Sequence, residues 1–96
     1  MPRYVIEREM PGVGQLGQAE LQGASRKSCS VIDNLGPQIQ WVESYVTNNK
    51  IYCIYQSPNI ELIKKHAEQA GFPANRIEEI KTVISPVTAE ASPVPA

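Results

Sequence analysis

The sequence has one histidine, two cysteines and a formal net charge of -1, and each scarcity closes a class of function. His66 stands alone, so a thiol–imidazole diad would need Cys29 or Cys53 beside it, and a metal site would need carboxylate or thiol partners. Cys29 and Cys53 are too few for a disulfide framework and too far apart for a CxxC motif, and are expected as free, buried thiols. Near-neutrality denies the chain the basic field that nucleic acid or anionic lipid would require, so neither nucleic acid nor membrane is expected as a partner. No apolar run approaches the roughly 18 residues of a membrane span. The start, Met1 to Glu7, is charged by its third residue and lacks an apolar signal core, so a soluble cytoplasmic protein is expected. Walker, GxGxxG, GxSxG, HExxH and paired CxxC motifs are absent, which argues against nucleotide hydrolysis, a serine elbow and structural zinc. Ninety-six residues leave room for one domain.

The residues present alternate between two periods. Residues 3–9 carry Tyr4, Val5 and Ile6 and read as a strand, followed by a glycine-rich loop from Met10 to about Gly17. Leu21, Ala24, Ser25, Ser28, Cys29, Ile32 and Leu35 then recur at helical spacing, and Gly36-Pro37 ends that helix. Residues 38–47 and 50–57 are rich in Val, Ile, Tyr and Trp, and Asn48-Asn49 between them predicts a two-residue type I′ hairpin. Ser57-Pro58 predicts an N-cap with proline at the first helical position, before a stripe of Ile60, Ile63, Ala67 and Ala70 that ends at Gly71. Arg76 to Ile84 reads as a fourth strand. The order β-α-β-β-α-β predicts an α+β, ferredoxin-like domain over 1–85, with a four-stranded antiparallel sheet and two helices on one face. Three prolines and a single charge make 86–96 an expected flexible tail.

The hairpin register predicts two faces. One carries Val42, Ser44, Val46, Ile51, Cys53 and Tyr55 and suits the underside of two helices. The other carries Trp41, Glu43, Tyr45, Tyr52, Ile54 and Gln56, too aromatic for a wetted surface and out of reach of the helices. A second copy packed sheet to sheet is the expected cover, forming a homodimer of the dimeric α+β barrel kind with a cavity between the sheets. Trp41, Ile54 and Gln56 would line a small-molecule pocket there, and Glu7 or Glu43 would supply a carboxylate whose acidity burial could tune. The plainer alternative pairs those carboxylates with Arg8, Lys50 or Lys81. His66, next to the apolar stripe of the second helix, reads by itself as a boundary histidine with one hydrogen bond rather than as a ligand.

Four stretches carry a family resemblance: Pro2-Arg3-Tyr4-Val5-Ile6-Glu7-Arg8, Trp41-Val42-Glu43-Ser44-Tyr45-Val46, Lys50-Ile51-Tyr52-Cys53-Ile54-Tyr55 and His66-Ala67-Glu68-Gln69-Ala70-Gly71-Phe72-Pro73-Ala74. Over about residues 2–88 the chain resembles a small bacterial nickel-binding-protein-like family, formerly a domain of unknown function. The resemblance implies a ferredoxin-like homodimer and, in at least one member, nickel bound by histidines at the positions of Glu7, His66 and Phe72. Only His66 is retained here. Glu7 substitutes an oxygen ligand, and Phe72 removes one. The expected function is therefore a small homodimeric binding protein for nickel, another divalent transition metal or a small ligand, with His66 and Glu7 as metal ligands. The alternative is a cofactor-independent oxygenase, isomerase or cyclase in which Glu43 is the acid or base and Tyr45 and Tyr52 donate hydrogen bonds to substrate.

Overall fold

A computed structural model describes residues 1–90. Alternating apolar groups form β1 (Arg3–Glu9), which bends through a 3-10 turn at Val13–Gln15 into α1 (Gln18–Leu35). A hairpin of β2 (Gln40–Val46) and β3 (Lys50–Gln56) leads to α2 (Ile60–Ala70), β4 (Arg76–Ile80) and the short α3 (Pro86–Glu90). The strands form one sheet in the order β2-β3-β1-β4, and every neighbouring pair is antiparallel. This is the ferredoxin-like α+β fold expected from the element order. Where a tail was expected from residue 86, Pro86–Glu90 is helical, and the remainder, 91–96, lies outside the described residues.

Tyr4, Ile6, Ile39, Cys53, Tyr55 and Ile63 form the core, where the inner face of β1 and β3 meets α2. Gly36 and Gly71 adopt φ of 97° and 74° and end the two helices, as the sequence signals require. The N-cap of α2 falls two residues later than expected. Asn59, not Ser57, accepts the Leu62 N–H at 2.9 Å, while the buried Ser57 hydroxyl donates to the Asn59 carbonyl at 2.7 Å. Strand four, expected to reach Ile84, stops at Ile80, which pairs with Arg3 at the very start of β1.

The hairpin has the expected register, with Tyr45 opposite Tyr52, Ser44 opposite Cys53 and Glu43 opposite Ile54. Its turn is not type I′, since no residue other than glycine has positive φ among the described residues. The Thr47 hydroxyl closes the loop instead, donating to the Lys50 carbonyl and accepting from the Lys50 N–H, both at 3.0 Å. The preceding glycine loop braces it from outside: the Met10 and Gly14 N–H groups donate to the Asn49 and Asn48 carbonyls at 2.9 and 3.0 Å. Gly14 is needed for this approach, because a Cβ there would lie 2.7 Å from the Asn48 Cα.

Two further departures decide the site. A β-bulge between Trp41 and Glu43 inserts Val42, so Trp41 pairs with Tyr55 and faces the helices rather than sharing the outer face with Glu43. Cys53 is buried as expected but Cys29 is exposed, and the buried residues of α1 are Ser28 and Val31.

Candidate functional site

The inner face of α1 is made of small residues. Ala24, Ser25 and Ser28 point toward a sheet whose inner side chains there are Trp41, Ser44, Ile51, Cys53 and Tyr55, and short side chains cannot fill the gap. The result is a half-open cavity of ≈ 310 Å³, lined also by Leu21, Met10, Val46, Arg8 and Phe72. Its walls are aromatic and aliphatic, which is how small-molecule sites are built when a few polar groups converge on them.

Three polar residues provide that convergence. Arg8 is 2% exposed, yet no carboxylate accompanies it among the described residues. Its Nε donates to the Cys53 sulfur at 3.4 Å, its Nη1 donates to the Pro73 carbonyl at 2.7 Å, and its guanidinium lies 5.6 Å from the centre of the Phe72 ring. Nη2 is buried without a partner. Ser28 shares hydrogen bonds with the Tyr55 hydroxyl at 3.0 Å and with His66 Nε2 at 3.1 Å. Tyr55 and His66 also stack, with ring centres 4.9 Å apart. Burial raises the Tyr55 hydroxyl above its ordinary value, so it keeps its proton and can donate. Burial, then the nearby Arg8 charge, lowers His66, and its imidazole is neutral.

The outer face holds the other expected residues. Lys50 Nζ lies 2.9 Å from Glu7 Oε1, and the Tyr52 hydroxyl donates to the same oxygen at 3.5 Å. The Lys50 hydrogen bond holds the Glu7 carboxyl below the usual range, the reverse of what a general acid needs. Glu43 accepts from Tyr45, and that bond raises the Tyr45 hydroxyl. Tyr45 is 55% exposed, so the pair stands in water. Glu43, Tyr45 and Tyr52 do share a face, as expected, with Ile54 and Gln56 half-buried beside them. The depression on that face, ≈ 340 Å³, is lined by Val5, Glu7, Tyr52, Arg76 and Glu78. Of the three expected pocket residues, only Trp41 lines the cavity beneath α1, and it does so from the opposite side of the sheet.

The expected metal pair is not brought together in one chain. Glu7 points outward opposite Tyr52, whereas His66 is wholly buried beneath the helices, with Nε2 on Ser28 and Nδ1 unpartnered. Among the described residues no three of His, Cys, Asp and Glu converge as metal ligands. The orphaned Nδ1 does not rescue the site, because the group whose charge acts on the ring is the cationic Arg8. The residues of one chain therefore do not fit a nickel ion. Sequence reading missed Arg8 as a site residue. The signal was available: an arginine at an inward position of an alternating strand, between Ile6 and Met10, is rarely buried without an anion.

Comparison with known proteins places this geometry in a family. The model of the family described as "Nickel responsive protein SCO4226-like" matches residues 4–80. The crystal structure of SCO4226 from Streptomyces coelicolor A3(2) is similar in fold, with a TM-score of 0.72 at 19% identity, covering 85% of this chain and 99% of that one. No curated protein is significantly similar to the chain.

Proposed function

We propose, from the premise that this chain belongs to the SCO4226-like family of nickel responsive proteins, that it is a small cytoplasmic homodimer that binds a small molecule in the cavity between α1 and the sheet. One observation carries the reading: an apolar cavity of ≈ 310 Å³ walled by Trp41, Tyr55 and Phe72 has the buried polar groups of Arg8, Ser28 and Tyr55 at its edge. Apolar walls supply affinity and convergent polar groups supply orientation. The outer face supports pairing of two copies, since Val5, Tyr52 and Ile54 are left without cover by the helices. The family description supports a link to nickel, and His66 and Glu7 are the ligands that link would call on, but their separation argues for the cavity as the binding site.

Native mass spectrometry of tag-free protein, as purified and after adding nickel, tests the reading. The expected result is a dimer carrying a small-molecule mass that is released on denaturation, with no whole-nickel increment that depends on His66. Nickel uptake abolished by His66→Ala would overturn the cavity reading in favour of a metal site. A monomer would overturn the paired sheets, and a dimer that takes up neither ligand nor nickel would leave the face as a purely structural contact.

A further inference from the structure

We infer that the ligand of this cavity is a monocarboxylate with an apolar body, its anionic head held by Arg8 and the Ser28–Tyr55 pair. The inference rests on the cavity being a binding site and adds the chemistry of what fills it. Arginine is almost never fully buried unless paired, because an uncompensated charge in a low-dielectric interior costs several kcal/mol. Arg8 is buried with a carbonyl, a thiol sulfur and an aromatic ring as its company, and its Nη2 has no acceptor among the described residues. None of these partners carries the negative charge that a planar guanidinium recognises through paired N–H donors. No aspartate or glutamate lines the cavity.

The rest of the cavity sets the other end of the molecule. Leu21, Ala24, Trp41, Ile51 and Phe72 offer no charge, so the body of the ligand is hydrocarbon or aromatic. At the roughly 30 Å³ that one water occupies in the liquid, ≈ 310 Å³ accommodates about ten non-hydrogen atoms. Ser25 has no proton to offer an anion, since its hydroxyl donates to the Leu21 carbonyl of its own helix at 2.9 Å. Ser28 and Tyr55 carry hydroxyls on the cavity wall, and Tyr55 stays protonated. The Ser28–Tyr55 bond uses one of the two hydroxyl protons, so the site presents one fixed cation and at most one O–H donor to a single anionic head.

Octanoate and octanamide, which match in size and differ in charge, form the test. Titration calorimetry of the intact dimer is expected to show octanoate binding at least tenfold more tightly than octanamide. In Arg8→Met the two probes should bind alike. That variant removes an unpaired buried charge and keeps the bulk, so its urea midpoint should be unchanged or higher, which a purely structural arginine would not allow. Ala24→Leu, which fills the cavity, should weaken both probes together. Equal binding of the two probes by the unaltered protein would overturn the carboxylate assignment while leaving the cavity as a site. Binding of neither probe would overturn both, as would binding that Ala24→Leu leaves intact. If Arg8→Met fails to fold, the comparison of probes on the unaltered protein still decides.

Discussion

At the scale of single residues, the molecule places its only histidine where protonation is costly. His66 is fully buried, and desolvation followed by the Arg8 charge holds its pKa below the ordinary 6.5. In the unfolded chain the same imidazole takes up a proton near 6.5, so below that pH the unfolded state binds more protons than the folded one and stability falls. The urea midpoint should therefore decline as pH drops from 7 toward 5, and His66→Gln should abolish that slope. Glu7 has its own window, since its carboxyl is held below the ordinary 4.5 by Lys50 and its stabilisation is lost only as pH falls below 4.5. Two separate declines, the upper one missing in His66→Gln and the lower one reduced in Glu7→Gln, would identify both groups, and a single decline below 4.5 in the unaltered protein and His66→Gln alike would contradict the His66 assignment. Burial of His66 was only half legible in sequence. The stripe of Ile63, Ala67 and Ala70 located its helix face, but Ser28 lies 38 positions away, and no local pattern announces that hydrogen bond.

At the scale of elements, strands and helices were legible wherever one local signal decided them. Alternation marked β1, enrichment in Ile and Tyr marked β3, and glycine marked the ends of α1 and α2. Competing signals hid the rest. Ser57-Pro58 and Asn59 are both plausible caps, and the choice went to Asn59 because Ser57 is drawn inward, its N–H donating to the Pro2 carbonyl at 3.0 Å beside β1. Asn59→Ala should consequently cost about 1 kcal/mol in urea unfolding, the usual value of an N-cap side chain. The bulge at Val42 was invisible because Trp41-Val42-Glu43 alternates equally well with or without it, and one inserted residue sends Trp41 to the other face. Cys29 sits about 100° around the helix from Ser28, at the margin of the buried stripe, so spacing alone could not exclude it. Contact between elements also constrains Gly14. An added Cβ would meet backbone atoms of Asn48 and Thr47 at 2.7 and 2.8 Å, and backbone cannot swing aside as a side chain can. Gly14→Ala should lower stability by about 1–3 kcal/mol, the range for overpacking, and loosen the hairpin tip in hydrogen exchange.

At the scale of the whole molecule, the two faces of the sheet carry different tasks that a single substitution can separate. Helices α1 and α2 lie on one side, and the other side presents Val5, Tyr52 and Ile54 around the Glu7–Lys50 pair, the face through which we propose that two copies pair. Ile54 is on β3, an interior strand of the sheet, and is half-buried within one chain. In a two-fold contact Ile54→Glu would set carboxylates from both copies in the same apolar seam, where like charges repel and desolvation penalises each. Native mass spectrometry should then show monomer in place of dimer, with the circular dichroism of the folded chain retained. The cavity lies beneath α1 on the far side of the sheet and contains no residue of the outer face, so octanoate binding should persist in that monomer. Dimer formation unchanged by Ile54→Glu would rule out pairing through this face, and loss of octanoate binding on dissociation would mean that the site needs the partner, so the two outcomes test the assembly and the ligand site independently.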